Sequence, residues 1–477
     1  MEGCRQRWST LLLITWLPFV GIASDAPVAV NLEAKDADTQ QLLQSMLESA
    51  QANPASADAR GQLGMAYERN GFGAAALSSF VQAETLDSGN FLWPYAHALL
   101  LGCNINSSPA CAAASIDYPA ALESIERAFA INDEYVPAWL WRASWLDELG
   151  RFEEAAIAYR RVMELGGEHA AAGVGMARVM LRLDRPSEAV ALLEPLTADY
   201  AYGAIFRVLG RAYRALGRVE EARIAFARGR DETWLTWSDP LLTSRDQYFV
   251  SYGSRLARAE SILDAGQAAT ALRELESLRS QQPNDTTLLR LVGTAYLRLG
   301  QSARARDVLR QGLKLKPDDY PLNLVMAGLY REAGLVDRAL EHMQRAINAV
   351  PTRGGAHFLR GTILLEQKRY DEARTAFDTS LQNGVKNPEQ VLYMAGTLEV
   401  LQQNWDAAAS RFEQSVNLNA AFARGYLALA GSRAEQGSFD EARAALAWAA
   451  KVDADTRELA VAHRHMAALE SAAKGAP

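Results

Sequence analysis

Arginines at helical spacing are the clearest candidates for a binding site in this sequence. Arg207, Arg211 and Arg214 lie four and three residues apart, so one face of a helix would carry all three. A guanidinium presents paired N–H donors that match the two oxygens of a carboxylate. Like charges at this spacing repel by roughly a few tenths of a kcal/mol. The stripe therefore needs either an acidic neighbour such as Glu260 or an acidic ligand.

Motifs for catalysis, cofactors and metals are missing from the sequence. It contains no Cys-x-x-Cys-His, no His-Glu-x-x-His, no Gly-x-x-x-x-Gly-Lys and no Gly-x-Ser-x-Gly. His463 and His465 are two residues apart on an expected helix, so they point to different faces and do not share a metal. We therefore expect a protein that is not an enzyme and that holds no cofactor and no metal.

A pattern of thirty-four residues is written twice in succession between Thr286 and Arg353. The first copy contains Val292, Gly293, Tyr296, Gly300, Ala305, Leu309, Gly312 and Pro317; the second contains Met326, Ala327, Tyr330, Gly334, Ala339, Met343, Ala346 and Pro351. Large apolar residues at helical spacing indicate two inward faces, and the small residues indicate close helix packing. The glycine predicts a turn and the proline a helix end. Each unit is thus helix, turn, helix, turn, and it must stack on its neighbours to bury its apolar face.

This pattern resembles the tetratricopeptide repeat, whose consensus has small residues and aromatics at the same places. The resemblance covers nearly the whole chain after the first 24 residues, in about eleven units. It implies an all-α fold, an α-solenoid of helix-turn-helix units that forms a right-handed superhelix, in either one array or two.

The phase of the pattern divides the chain into segments. We expect a signal peptide at 1–24, a lead-in with a capping half-repeat at 25–56, a first array of repeats one to five at 57–229 with an insertion at 103–119, an aromatic joint at 230–251, a second array of repeats six to eleven at 252–456, and a capping helix with a tail at 457–477.

The amino terminus reads as an export signal. Arg5 and Arg7 precede an apolar run from Trp8 to Val20, and small residues follow before Asp25. Cleavage is expected after Ala23 or Ser24; the alternative is an uncleaved membrane anchor. No later segment is long and apolar enough to span a membrane, so we expect an exported protein, periplasmic or secreted.

Removal of the signal would take Cys4 away and leave Cys103 and Cys111. Two cysteines this close in an oxidising compartment predict a disulfide, and the alternative is two free thiols in a flexible insertion.

The resemblance also implies a binding surface. In tetratricopeptide proteins the first helix of each repeat lines a concave groove, and the groove-facing places in this sequence hold Arg178, Arg207, Arg211, Arg214, Arg290 and Arg331. An acidic protein segment or a chain terminus would suit these guanidinium groups. The alternative is a solvated stripe whose charges are paired within the protein.

Tryptophans mark two further places. Trp139, Trp141 and Trp145 share one expected helix and cannot all face inward, so one could be an exposed anchor. Trp234 and Trp237 lie in the joint, which is too aromatic for a solvated linker and is expected to pack on the solenoid.

These features favour a non-catalytic scaffold or assembly factor of the cell envelope that binds a partner segment in its groove. The net charge of −8 argues against nonspecific nucleic-acid binding. Two alternatives stay open: an accessory subunit of a redox, haem or polysaccharide-export system, and a carbohydrate-binding solenoid with Trp141, Trp234 or Trp237 as its platform.

Overall fold

The structure is a computed structural model that describes residues 26–102, 116–167, 169–230, 237, 239–452 and 456–475. The expected signal peptide, Cys103, Cys111 and Trp234 lie outside the described residues. The chain divides into two compact units, one ending at Asp133 and the other beginning at Glu134.

The described part of the amino-terminal unit contains five helices preceded by an extended stretch. The helices are α1 (Ala37–Ala52), α2 (Ala57–Arg69), α3 (Gly73–Leu86), α4 (Leu92–Leu101) and α5 (Tyr118–Phe129). The stretch before α1 is tied to the first helix pair, because the Tyr67 hydroxyl donates to the Val28 carbonyl (2.6 Å). Helix α5 begins at Tyr118, capped by the Asp117 side chain. The insertion expected at 103–119 therefore ends before Pro119, which the first turn of a helix tolerates.

The carboxy-terminal unit continues the same succession of helices. Its first part contains α6 (Val136–Glu148), α7 (Phe152–Glu164), α8 (His169–Arg182), α9 (Pro186–Asp199), α10 (Gly203–Ala215) and α11 (Val219–Arg228). A four-residue helix, α12 (Pro240–Thr243), and a 3₁₀ turn (Ser244–Tyr248) follow.

The second part of this unit begins where the phase of the repeat resumes. It contains α13 (Tyr252–Asp264), α14 (Ala268–Gln281), α15 (Thr286–Arg298), α16 (Ser302–Leu315), α17 (Tyr320–Glu332), α18 (Val336–Ala349), α19 (Gly354–Glu366), α20 (Tyr370–Gln382), α21 (Pro388–Leu401), α22 (Trp405–Leu418), α23 (Ala423–Glu435), α24 (Phe439–Lys451) and α25 (Thr456–Gly475).

Helices pack as sequential pairs in which a small residue on one helix faces a large side chain on the other. A Cβ added at Gly293 on α15 would lie 2.6 Å from Leu309 of α16, and one at Gly361 on α19 would lie 2.7 Å from Phe377 of α20. Real Cβ atoms do not come so close, so glycine allows these helices to approach. The expected all-helical stack of helix pairs is confirmed for the described residues.

The described turns inside the helix pairs each contain one residue in the left-handed backbone conformation. Gly300 (φ 72°) and Gly334 (φ 71°) hold this place in the two repeats that define the pattern. Asp184, Lys368 and Gln403 hold it in repeats four, nine and ten, with φ near 60°. A side chain in this conformation costs about 1 kcal/mol, so the fold overrides the local preference at these three turns.

First helices of successive repeats lie closer to one another than second helices do. Direct packing joins α6 to α8, α8 to α10, α13 to α15, α15 to α17, α19 to α21 and α21 to α23, whereas contacts between successive second helices are sparser. A stack that is tighter on one side curves toward that side. The first helices of the carboxy-terminal unit therefore form the inner face of each run of repeats.

Candidate functional site

Three of the six predicted arginines pair with a carboxylate on a neighbouring first helix. Arg178 of α8 reaches Asp147 of α6 (2.7 Å), and Arg290 of α15 reaches Glu260 of α13 (2.8 Å). The third pair is looser, since Arg331 of α17 lies 3.8 Å from Glu366 of α19. Each pair links two successive repeats across the inner face. These guanidinium groups are thus compensated within the protein, which is the alternative that the sequence left open for them.

Glu260 does not serve the role that the sequence suggested. It was expected to neutralise the stripe of Arg207, Arg211 and Arg214, but its carboxylate accepts from Arg290 instead. The reason is position: α13 packs against α15, the next first helix along the chain.

Helix α10 presents its arginines differently. Arg207 donates to the carbonyl of Gly229 (2.9 Å), so this guanidinium serves the end of α11. Arg211 is exposed and makes no ion pair or hydrogen bond with the residues that the structure describes. Arg214 is exposed too, and its guanidinium lies 5.4 Å from the ring centre of Phe226. Two cations of α10 therefore lack a carboxylate.

The acidic and phenolic groups near α10 are already engaged. Glu194 accepts from the Tyr213 hydroxyl (2.8 Å), and Glu221 accepts from Arg218. Burial and this hydrogen bond raise the pKa of Tyr213, whereas the hydrogen bond from Arg218 lowers the pKa of Glu221. Tyr213 stays neutral and Glu221 stays ionised at neutral pH.

A long-range contact joins α11 to the last repeats. The Arg223 guanidinium lies 5.1 Å from the ring centre of Trp448, and Ile224 packs into a cluster with Val416 and Tyr426. Arg230 approaches the Glu389 carboxylate (3.7 Å) and donates to the Leu418 carbonyl. A cavity of about 520 Å³ lies beside this contact, lined by α9, α10, α11 and α24. Its walls carry Phe206, Tyr213 and Trp448, with Arg228 and Lys451 as cations.

Two described residues of the aromatic joint, Trp237 and Asp239, contact the start of the α6 repeat. The ring of Trp237 meets Trp141 edge to face, with centres 4.9 Å apart, and the Tyr135 hydroxyl donates to Asp239 (2.6 Å). Trp145 is buried, Trp139 and Trp141 are half-buried, and none of the three is the exposed anchor that the sequence suggested. Trp141 contacts both Trp145 and Trp237, so these rings do not form a flat open platform.

The described residues were also compared with the requirements of a metal site and of a membrane span. That part of the chain holds no group of three or more histidine, cysteine or acidic side chains placed to bind a metal ion. His465 lies 3.0 Å from Glu435, and His463 is exposed on α25. The described helices include none with the length and hydropathy of a membrane span.

Sequence reasoning found the arginines but missed their partners. Arg178 and Asp147 are separated by 31 residues, close to one repeat period, so the period could have suggested this pair. Arg230 and Leu418 are 188 residues apart, and no local signal links them.

Family models match two long stretches of the chain. Two models described as tetratricopeptide repeat match residues 112–169 and 324–388, and residues 148–202 and 263–325. Together these matches cover 112–202 and 263–388, which include the two repeats that define the period.

Two curated proteins resemble part of the chain. Bacteriophage adsorption protein A of Escherichia coli (strain K12) is 33% identical over 119 residues, which are 24% of this chain and 12% of that protein. Cellulose synthase operon protein C of Xanthomonas axonopodis pv. citri (strain 306) is 30% identical over 215 residues, 42% of this chain and 14% of that protein. The matched part thus spans about one eighth of the length of these relatives.

Solved structures of helical repeat proteins are also similar. Yeast Tom70 aligns with 88% of this chain and 96% of its own, at 14% identity and a TM-score of 0.40. A tetratricopeptide repeat protein from Parabacteroides merdae aligns with 46% of this chain and 88% of its own, at 20% identity and a TM-score of 0.38. The described residues form an all-helical stack of sequential helix pairs, and the stretches 112–202 and 263–388 of this stack match the tetratricopeptide repeat models.

Proposed function

We propose that this chain is a non-catalytic scaffold that binds another protein on the inner face formed by its first helices. The observation that carries the proposal is the alignment of these helices, since α6, α8 and α10, and later α13, α15 and α17, pack side by side. Such an array offers a long surface on which an extended or helical segment can lie.

In this proposal the arginines of α10 orient the bound segment of the partner. Arg211 and Arg214 are exposed and lack a carboxylate, whereas Arg178, Arg290 and Arg331 are already paired. An acidic segment or a carboxy terminus of the partner would supply carboxylates that pair with these two guanidinium groups. The best-supported contact region is therefore α10 rather than the whole row of six arginines.

A charge-reversal pulldown tests this. The test variant carries Arg211→Glu and Arg214→Glu, and the matched control carries Arg273→Glu and Arg310→Glu on the second helices α14 and α16, where both arginines are exposed. We expect a partner crosslinked from the envelope fraction of the source organism to be captured by wild type and by the control, and lost with the test variant. Equal capture by all three proteins would show that the α10 arginines are only solvated.

The proposal includes export from the cytoplasm. The support is the sequence at 1–24, with two arginines before an apolar run and small residues after it. Intact mass of the native protein should correspond to a chain that begins at Ser24 or Asp25. It should rise by about 2 Da on reduction if Cys103 and Cys111 form a disulfide. A mass for the full sequence would contradict cleavage.

A second candidate is a role in polysaccharide production. It is favoured by the partial likeness to a protein named for the cellulose synthase operon. Deletion of the gene should then lower the polysaccharide secreted by the source organism, and the plasmid-borne gene should restore it. Unchanged polysaccharide would remove this candidate and leave the scaffold proposal intact.

A further inference from the structure

The cavity beside α11 combines a buried apolar lining with exposed charged groups. Phe206, Leu209 and Ala225 line it and are 3% to 4% exposed. The rings of Tyr213 and Trp448 also line it. Its volume of about 520 Å³ lies within the range of roughly 300 to 1,000 Å³ that is usual for small-molecule sites. The scaffold function proposed above makes no use of this space.

The carboxylates of the lining already have partners. Among the described lining residues, each carboxylate accepts a hydrogen bond from a nearby side chain: Glu194 from Tyr213 (2.8 Å), Glu220 from Arg223 (3.0 Å) and Glu221 from Arg218 (2.7 Å). These acidic groups are compensated within the protein and do not need a cationic ligand.

Two cations of the lining are placed differently. Arg228 of α11 and Lys451 of α24 make no ion pair or hydrogen bond with the residues that the structure describes. The Arg228 guanidinium lies 4.1 Å from the ring centre of Phe206, and the Lys451 Nζ lies 4.5 Å from the ring centre of Trp448. Lys451 acts on Glu221 only at longer range, where it helps to lower the pKa of that carboxyl. A cation on a ring face keeps N–H donors for an acceptor, so the cavity offers donors to an anion.

The aromatic rings of the cavity argue against a cationic ligand. A ligand cation such as a quaternary ammonium binds on the faces of aromatic rings. Each of the three aromatic rings named here already carries a cation of the protein, since Arg218 lies 4.3 Å from the ring centre of Tyr213. A ligand cation would meet these like charges at close range, whereas an anion would be attracted to them.

We propose that this cavity binds a small organic acid that carries an aromatic ring. The buried apolar residues Leu209 and Ala225 receive the ring, and Arg228 and Lys451 donate to the acid group. Because one cation belongs to α11 and the other to α24, the bound acid bridges repeats five and eleven. Arg211 and Arg214 are not among the described lining residues, so this inference does not depend on the proposed scaffold function.

Indole-3-acetate and its uncharged amide, indole-3-acetamide, are the probes that test this site. They share the same ring and differ in charge. Ligand-observed NMR with the purified protein at low salt measures the Kd of each. We expect a Kd of about 1 mM or lower for the acetate, as its size allows, and a Kd about tenfold higher for the amide, because charge-assisted hydrogen bonds are lost.

Variants of the lining locate the binding. Arg228→Gln combined with Lys451→Gln should raise the Kd of the acetate about tenfold and leave that of the amide unchanged. Thr197→Trp adds a large side chain to the lining and should raise the Kd of both probes by more than about tenfold. The matched control, Arg310→Gln with Lys314→Gln, removes one exposed arginine and one exposed lysine from α16 and should bind both probes as wild type does.

Three results would overturn the proposal. They are no binding of the acetate at about 10 mM, an equal Kd for acetate and amide, and an unchanged Kd in lining variants whose circular dichroism matches wild type. If the double variant does not fold, Lys451→Gln alone serves, since Lys451 is exposed, with an expected rise of about threefold in the Kd of the acetate. The assay contains no partner protein, so its failure leaves the α10 pulldown unaffected.

Discussion

Helices α10 and α15 carry arginines at equivalent places but meet different surroundings. On α15, Arg290 is three-quarters buried and pairs with Glu260 of the preceding first helix. On α10, Arg211 is exposed and has no partner among the described residues. The place of Arg290 is held on α10 by Arg207, which donates to the Gly229 carbonyl, and Arg211 lies one turn further along, so both the helix position and the neighbouring repeat decide the difference. A paired arginine links repeats, and an unpaired one is available to a ligand.

The largest effect should come from the core that both helices share. A Cβ at Gly210 would lie 2.8 Å from Phe226, and one at Gly293 would lie 2.6 Å from Leu309. Gly210→Val and Gly293→Val should each destabilise the fold by about 2 to 3 kcal/mol, because the large side chain opposite must move. The midpoint of thermal unfolding measures this.

The control for that pair is Gly328→Ala, since no atom lies within 4 Å of the added Cβ on α17. It should raise stability by up to about 1 kcal/mol. If Gly210→Val were tolerated while Gly293→Val was not, α10 would be the looser pair in its core as well as on its surface.

The next effect should come from an ion pair whose carboxylate is buried. Asp147 is 8% exposed in its side chain and accepts two N–H groups of Arg178, at 2.7 and 3.1 Å. Asp147→Asn should cost about 2 kcal/mol, because a charge-assisted hydrogen bond is lost and a partly buried guanidinium loses its counterion. A double-mutant cycle with Arg178→Gln in urea unfolding measures the coupling; additive losses would show that the pair contributes nothing beyond its separate groups.

A smaller effect separates α15 from α10. Arg290→Gln should cost about 0.5 kcal/mol at low salt and less in high salt, since the pair is only partly buried. Arg211→Gln should leave the unfolding midpoint unchanged and affect only partner capture. Equal losses of stability for the two variants would indicate that Arg211 has a partner in solution. That result would contradict the difference between α15 and α10.

The smallest effect is a local pH dependence. His342 on α18 donates to Asn323 (2.8 Å) and stacks on Tyr330, and burial, helped by Arg345, lowers its pKa. The unfolded chain therefore binds a proton at this site at a higher pH than the folded one, and stability falls as pH drops below about 6.5.

Hydrogen exchange at pH 7.5 and 5.5, corrected for intrinsic rates, measures that dependence. Protection of α17 and α18 should decrease at the lower pH, whereas α10 and α11, which contain no histidine, should keep theirs. The change at α18 should vanish in His342→Gln. A matching change at α10 would mean that the effect is global.

Much of the architecture could be predicted from local pattern. The thirty-four-residue period placed helices α15 to α18, and Gly300 and Gly334 take the left-handed turns that glycine permits. The period did not predict the same left-handed turn at Lys368, because tertiary packing imposes the left-handed conformation on a residue that disfavours it. It placed all six candidate arginines on first helices but could not distinguish paired from free ones.

The sequence by itself determined the repeat, the helix pairs and the absence of recognisable catalytic motifs, because these depend on residues within one period. Only the tertiary structure decided which arginine meets a carboxylate, that Trp237 returns to Trp141, and that α11 meets Trp448. Each of these contacts joins different repeats, and its geometry depends on small rotations between successive repeats that accumulate along the stack. A pattern that repeats every thirty-four residues describes one unit well, but it carries little information about where distant units meet.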